Sequence, residues 1–185
     1  MADNTAFLAT GPRVAIRHLT YADGEAFTTL ARASRELHHP WLAPPVTAEH
    51  FAYFAERLIV DASRAGFLVC EQDSGRIAGY VSINNIVEFG FHCGALGYGA
   101  FAHAVGKGLM TEGLRLVIAH AFGPALKLHR LEINVQPRNA ASIALARRCG
   151  FRLEGFSPDF LYIDGAWRDH ERWALTTEMV RQRTK

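Results

Sequence analysis

Two glycines just ahead of an apolar helical pattern are the first residues of this chain whose types and spacing suggest chemistry. Gly106 and Gly108 follow a short apolar segment and precede residues 109–122, where apolar side chains recur at helical spacing. A strand, a glycine turn and a helix in that order point several free backbone N–H groups at one place, where the helix dipole favours an anion. The stretch therefore predicts either a phosphate site or a tight strand-to-helix turn that binds nothing.

Polar residues with catalytic potential follow in the second half of the chain. Glu132 and Asn134 are two apart in a predicted strand over 129–135, so their side chains point to one face of the sheet. Either side chain could hold a water that accepts a proton, although Glu132 is equally consistent with a solvated strand position. Asn139 is predicted to cap the next helix, and Ser142 falls in the first turn of that helix.

The elements that must position these residues alternate between strand and helix patterns along the chain. Strands are predicted at 13–18, 66–71, 76–84, from 96 to about 102, at 129–135, 151–155 and 169–177. Helices are predicted at 21–34, after Thr47 as far as Ile59, at 109–122, and from Asn139 to Gly150. No linker or internal repeat interrupts this order, which predicts one α/β domain over residues 1–185.

Composition narrows the class of protein. A formal net charge of +2 is too small to indicate a nucleic-acid partner. Cys70, Cys93 and Cys149 are odd in number and widely spaced, which predicts neither a disulfide framework nor a metal site. No apolar run is long enough to cross a membrane, and residues 1–5 lack the basic start of a leader peptide. We therefore expect a cytoplasmic protein with no membrane partner.

A proline-rich segment between the first two helices is the other distinctive feature. Residues 38–45 contain three prolines, which exclude regular structure, and also contain Trp41, which is costly to leave in water. The segment is equally consistent with a loop that tucks Trp41 under the domain and with a wall of a substrate pocket.

Five stretches, together covering about residues 89–177, carry a resemblance to a known family. They are Phe91-His92 with Leu96-Gly97-Tyr98, Gly106-Lys107-Gly108-Leu109-Met110, Pro137-Arg138-Asn139 with Ser142, Gly150-Phe151 with Glu154-Gly155, and the run from Tyr162 to His170. In this order they resemble the GCN5-related N-acetyltransferases (GNAT). Within that superfamily they are most similar to the Rim-type ribosomal-protein N-acetyltransferases that act on N-terminal alanine.

The resemblance implies a GNAT-like fold and acetyl-CoA as co-substrate, with no metal. It implies a mixed central sheet of about seven strands with a splayed central pair, flanked by about four helices. The superfamily's pyrophosphate motif, Gln/Arg-x-x-Gly-x-Gly/Ala, falls on residues 105–110, where Val105 replaces the long polar residue and Met110 the small one. The residues expected to hold the pyrophosphate, mainly through backbone N–H groups, are Val105, Gly106, Lys107, Gly108, Leu109 and Met110.

Further site residues follow from the same resemblance. Ala100, Phe101 and Ala102 would offer unpaired backbone groups to the pantetheine, and Asn139 would face its amides. Ser142 would act as general acid toward the leaving thiolate, although it could instead complete a helix cap. Glu132 and Asn134 stay candidates, from their strand spacing, to hold a water that accepts the amine proton. The residues expected to contact the acceptor are Trp41 of the proline-rich segment, His92 and Tyr162.

These expectations describe an acetyl-CoA-dependent N-acetyltransferase that acts directly on the N-terminal α-amine of a protein. The expected acceptor is a ribosomal protein that begins with Ala or Ser. Two alternatives stay open: a small-molecule amine acetyltransferase on the same fold, and a non-catalytic CoA-binding or ribosome-assembly module. The sequence leaves both monomer and homodimer possible.

Overall fold

The computed structural model describes residues 6–183, which form an eight-stranded sheet in the order β1-β2-β3-β4-β5-β6-β8-β7. Residues 1–5, predicted to carry no leader peptide, and residues 184–185 lie outside the described range. The strands are β1 (Ala9–Thr10), β2 (Val14–His18), β3 (Ala65–Glu71), β4 (Ile77–Val87), β5 (Cys93–Ala100), β6 (Arg130–Val135), β7 (Arg152–Ile163) and β8 (Ala166–Thr176). Strands β5 and β6 run parallel, while their outer neighbours pair antiparallel, so the sheet is mixed as predicted.

Six helices accompany the sheet in the described range. They are α1 (Gly24–Ala33), α2 (Arg35–His38), α3 (Ala48–Ile59), α4 (Leu109–Phe122), α5 (Ala140–Cys149) and α6 (Thr177–Arg183). The two helices beyond the predicted four are α2, with four residues, and α6, with seven. The extra strand is β1, which has only two residues. Elements this short show no periodicity in the sequence, which is why they were not predicted.

Helices α4 and α5 cover one face of the sheet, and α1 and α3 cover the other. On the second face Phe27 is the centre of an aromatic cluster, with ring centroids 5.1 Å from Phe51, 5.1 Å from Tyr80 and 5.3 Å from Phe101. Phe101 is fully buried and immediately follows β5. This cluster therefore anchors the end of β5, where the site lies.

The hairpin of β7 and β8 is longer than predicted. The sequence indicated strands only at 151–155 and 169–177, but the ladder continues to a pairing of Ile163 with Ala166 at the tip. Asp164 and Gly165 form the predicted turn with φ of 51° and 75°. Most of β7 is exposed, so its outer half carries no apolar alternation that could reveal a strand.

Candidate active site

The two parallel strands part at the centre of the sheet. Strand β5 pairs with β6 only as far as Leu96 opposite Ile133, although β5 runs on to Ala100 and β6 to Val135. The Phe101 N–H donates to the Ala78 carbonyl on the β4 side at 2.9 Å. Because strand backbone groups alternate in direction, those of Tyr98 and Ala100 face β6 and the opening. The predicted splayed pair is confirmed.

The backbone just beyond β5 corrects one prediction. Residues 100–102 were expected to form a strand with unpaired backbone groups, but β5 ends at Ala100 and a 3₁₀ turn begins at Ala102. The Ala100 carbonyl accepts from His38 Nε2 at 2.7 Å, and the Ala102 N–H donates to Ser34 Oγ at 2.9 Å. The groups left facing the opening are the backbone of Tyr98, the N–H of Ala100 and the second lone pair of the Ala100 carbonyl oxygen.

The glycine turn has the backbone that its sequence predicted. Gly106 and Gly108 both have φ of 77°, a left-handed conformation that glycine adopts without strain. Helix α4 begins at Leu109 and is 14 residues long, so its first N–H groups and its dipole point at this turn. The turn is therefore built as an anion-binding end of a helix.

The structure changes the register of the pyrophosphate motif. Met110 was placed at a motif position, but its side chain is buried and its sulfur fills the space where a Cβ on Gly79 would lie. Met110 is therefore a core residue. The two left-handed glycines fit the fourth and sixth motif positions, which puts His103 at the first. In this register both glycine positions are filled, and the first position is still polar.

Hydrogen bonds of Glu112 and Arg13 fix the glycine turn, and the sequence did not predict them. The Glu112 carboxylate accepts from the backbone N–H of Arg13 at 2.7 Å and from that of Val14 at 3.1 Å. Arg13 also donates from Nη1 to the Lys107 carbonyl at 2.8 Å. Burial raises the pKa of Glu112, but the hydrogen bonds from Arg13 and Val14 outweigh it and leave the pKa below its usual value. The ionised Glu112 and the Arg13 side chain thus hold the glycine turn against β2.

Ser142 is brought to the opening and meets Tyr98, which sequence reasoning did not single out. Their hydroxyl oxygens lie 2.7 Å apart. Asn139 Oδ1 accepts from the Ser142 N–H at 3.1 Å, so the cap uses the backbone of Ser142 and leaves its hydroxyl available. Burial raises the pKa of Tyr98 to about 12, which keeps the phenol protonated at neutral pH. The pair can donate a proton at the opening.

The predicted base residues differ in their surroundings. Glu132 accepts from Arg130 Nε at 2.9 Å through one oxygen and from Arg172 Nη2 at 3.2 Å through the other. A carboxylate engaged on both oxygens is poorly suited to take a proton from a substrate. Asn134 Oδ1 is buried and has no hydrogen-bond partner among the described residues. Asn134 therefore keeps an open acceptor beside the opening, whereas Glu132 is structural.

Arg130 also holds Glu154, together with Arg152, and this leads to a stability prediction. Hydrogen bonds from Arg130 and Arg152 lower the pKa of Glu154 to about 2. A lowered pKa stabilises the fold fully above the unfolded value near 4.5, and that contribution is lost as the pH falls toward about 2. We expect Glu154→Gln to lower the free energy of unfolding at pH 7 by about 1–2 kcal/mol. Urea titrations at pH 7 and pH 3 should show the difference from wild type shrinking at the lower pH, and a constant difference would contradict the assignment.

Of the three predicted acceptor residues, His92 lies away from the opening. His92 precedes β5 at the end away from the opening, about 20 Å from Tyr98 along an extended strand. Its carbonyl accepts from the N–H groups of His129 and Arg130, so its role is to close the loop onto β6. Tyr162 is exposed near the hairpin tip, with its ring centroid 5.7 Å from that of Trp167. Trp41 is half-buried in the proline-rich loop.

Two cavities flank the proline-rich loop on the face of α1 and α3. One, of about 550 Å³, lies between α1–α2, this loop and the hairpin tip, and His38 and Asp164 line it. The other, of about 330 Å³, reaches from the loop to Ser82 and Tyr98 beside the opening. Leu42 and Pro44, neighbours of Trp41, line both cavities, whereas Trp41 lines neither. The loop is therefore a pocket wall, built from residues next to the one predicted.

None of the three cysteines is suited to act as a nucleophile. Burial raises the pKa of Cys70 and Cys93, and that of Cys149 to about 11, so the three thiols are poor nucleophiles.

Over residues 6–183 no three His, Cys, Asp or Glu side chains are grouped as metal ligands would be. Within the same range no helix is both long and apolar enough to span a membrane.

A mixed sheet that opens between its two parallel strands, beside a glycine turn at a helix start, is the arrangement that the resemblance to N-acetyltransferases implied. Residues 13–152 match the sequence profile of the Acetyltransferase (GNAT) domain, and the chain belongs to this family.

Individual relatives are enzymes of several kinds. The chain is 40% identical over 111 residues to the [ribosomal protein uS5]-alanine N-acetyltransferase of Escherichia coli, a match that covers 60% of this chain and 57% of that protein. It is 33% identical over 140 residues to the L-methionine sulfoximine/L-methionine sulfone acetyltransferase of Pseudomonas aeruginosa, covering 70% and 74%. Among solved structures, Mycobacterium smegmatis RimJ in complex with CoA-disulfide superposes with a TM-score of 0.83 at 27% identity, covering 91% and 87%.

Proposed function

We propose that this chain is an acetyl-CoA-dependent N-acetyltransferase that transfers the acetyl group directly to the N-terminal α-amine of a protein. The observation that carries the proposal is the opening between β5 and β6, with the Tyr98–Ser142 hydroxyl pair at its edge. The similarity to a ribosomal-protein alanine acetyltransferase supports a ribosomal protein beginning with Ala or Ser as acceptor. Such an acceptor would place the reaction in the cytoplasm.

Different groups of residues would bind the cofactor and donate the proton in a direct transfer. The turn at Gly106 to Gly108 would hold the pyrophosphate, and the backbone facing the opening would hold the pantetheine. The acceptor amine forms the new N–C bond at the thioester carbonyl, and a water held by Asn134 Oδ1 takes the proton that the nitrogen then loses. The C–S bond breaks as the thiolate leaves. The proton that the leaving thiolate takes comes from the Tyr98–Ser142 pair. Buried cysteine thiols of raised pKa support direct transfer rather than an acyl-enzyme.

The two base candidates among residues 6–183 support a particular kind of amine. An α-amine of pKa about 7.7–8.0 is roughly a fifth to a third neutral at about pH 7.4, whereas a lysine amine of pKa about 10.4 is neutral in about one molecule in a thousand. Glu132 is engaged by two arginines, and Asn134 offers an acceptor without basicity. A site of this composition suits an amine that is already partly deprotonated.

Acceptor peptides test the proposal. Peptides that begin with Ala or Ser should release free thiol from acetyl-CoA at least about tenfold faster at neutral pH than an N-terminally blocked peptide with one lysine. The expected rate ratio is smaller than the ratio of the two neutral fractions, because the more basic lysine amine is the better nucleophile once it is deprotonated. The release is measured with a thiol reagent and the product by mass. Equal rates for both peptides would show that the α-amine assignment is wrong.

A small-molecule amine is the second candidate, because the methionine sulfoximine/sulfone acetyltransferase is similar over more than two thirds of both chains. L-Methionine sulfone belongs in the same assay as a third acceptor. Faster turnover of that compound than of any peptide would favour this candidate. Binding of acetyl-CoA without thiol release for any acceptor would instead indicate a non-catalytic CoA-binding module.

A further inference from the structure

His38, the last residue of α2, is the most unusual polar side chain near the opening. Only 4% of it is exposed, and its ring lies 6.2 Å from that of Phe101. Its Nε2 is 2.7 Å from the Ala100 carbonyl oxygen, which is 62 residues away in sequence and faces the gap between β5 and β6. The same imidazole lines the cavity of about 550 Å³ under the proline-rich loop. It therefore lies between the two regions where substrates are expected.

The hydrogen bond determines which form of the imidazole is present. A carbonyl oxygen can only accept, so Nε2 carries the proton and Nδ1 is a bare acceptor. Nδ1 is buried and has no partner among the described residues. Burial lowers the pKa of His38, and the bond to Ala100 only partly offsets this. His38 is thus a neutral donor to Ala100 at neutral pH.

A second side chain from the same helical turn supports the next peptide units. Ser34 is 2% exposed, accepts from the Ala102 N–H at 2.9 Å, and donates to the Leu30 carbonyl at 2.7 Å. Ser34 and His38 therefore hold the backbone on both sides of Phe101. The layer of α1 and α2 therefore sets the orientation of the backbone that ends β5.

We propose that His38 is a positioning residue for the pantetheine arm of acetyl-CoA. By holding one lone pair of the Ala100 carbonyl, it orients that peptide unit and leaves the second lone pair for an amide N–H of the cofactor arm. Because the orientation is set before the cofactor arrives, binding does not have to order this segment. The proposal rests on the proposed function, in which this segment contacts acetyl-CoA.

Three substitutions at one position test the role. His38→Leu fills the buried site without a donor and should weaken acetyl-CoA binding about tenfold, the effect of one lost orienting hydrogen bond. His38→Gln should restore most of the affinity, because its amide N–H can occupy the place of Nε2. His38→Asn carries an amide too short to reach Ala100 and should bind like the Leu variant. The exposed neighbour in His39→Leu is the matched control.

Titration calorimetry with acetyl-CoA and urea unfolding on the same preparations distinguish the outcomes. A structural role alone predicts that affinity follows stability, whereas a positioning role predicts lost affinity in the folded Leu or Asn variant and its recovery in the Gln variant. The proposal is overturned by wild-type affinity in the folded Leu or Asn variant, or by a folded Gln variant as weak as these. Failure of the wild-type protein to bind acetyl-CoA would reject the proposed function itself.

Discussion

Replacing Ser142 by alanine is expected to lower kcat about 100-fold and to leave the KM of both substrates nearly unchanged. A hydroxyl that protonates the departing thiolate contributes in the transition state and hardly at all in the ground state. Positioned acid catalysis contributes about 10²- to 10⁴-fold, and the low end is expected because a CoA thiol is already a good leaving group. Steady-state kinetics with an Ala-starting peptide measure the effect.

Tyr98 makes this prediction more specific than a single substitution. Its hydroxyl lies 2.7 Å from that of Ser142, so the two form one donor unit. Tyr98→Phe should then also lower kcat, and the double variant should cost little more than the more damaging single one. Independent, multiplying losses would contradict a shared proton path.

The competing explanation for Ser142 is a helix cap. The cap bond uses the Ser142 N–H and Asn139 Oδ1, so Ser142→Ala should leave the stability of α5 nearly intact. Thr47→Ala is the matched control, because Thr47 Oγ1 caps α3 by accepting from the His50 N–H. That variant should lose about 1 kcal/mol of stability with normal kcat. A Ser142→Ala protein with full kcat and a lowered unfolding midpoint would remove Ser142 from the reaction.

Gly108→Val is expected to weaken acetyl-CoA binding about 100-fold while the fold is retained. At φ of 77° a β-branched residue is strained, by about 1–3 kcal/mol, and a Cβ at Gly108 would lie 3.3 Å from Arg13 Nη2. Relieving the backbone strain or the close approach to Arg13 would rotate the first N–H groups of α4 away from the place where a pyrophosphate would lie. Titration calorimetry with acetyl-CoA measures the loss.

The hairpin tip offers the matched control for this variant. Gly165 has φ of 75°, and no atom lies within 4 Å of a Cβ built there. Gly165→Val therefore imposes comparable backbone strain far from the turn, and it should reduce stability without the 100-fold loss of affinity. Unchanged affinity in Gly108→Val would remove the phosphate site from the turn, and an equal loss in both variants would attribute the effect to general strain.

The sequence alone determined the features that depend on neighbouring residues. The left-handed glycines at 106 and 108, the Asn139 cap and the Asp164-Gly165 turn all follow from backbone sterics and short-range hydrogen bonds. The register of the pyrophosphate motif was predicted wrongly. The motif was placed two residues too far along the chain: the register that starts at His103 already fills both glycine positions in the sequence, and the burial of Met110 against Gly79 excludes the other one.

Only the tertiary structure decided which polar groups meet. The Tyr98–Ser142 pair joins residues 44 apart, and the His38–Ala100 bond joins residues 62 apart. The Glu132 carboxylate is engaged by Arg172, which lies 40 residues on in the sequence and on the neighbouring strand β8. Side-chain spacing along a strand predicts a face but not the partners on that face, because sheet register and helix packing bring distant residues together. The chemistry of the opening is therefore a property of the fold, built around a turn that local sequence specifies.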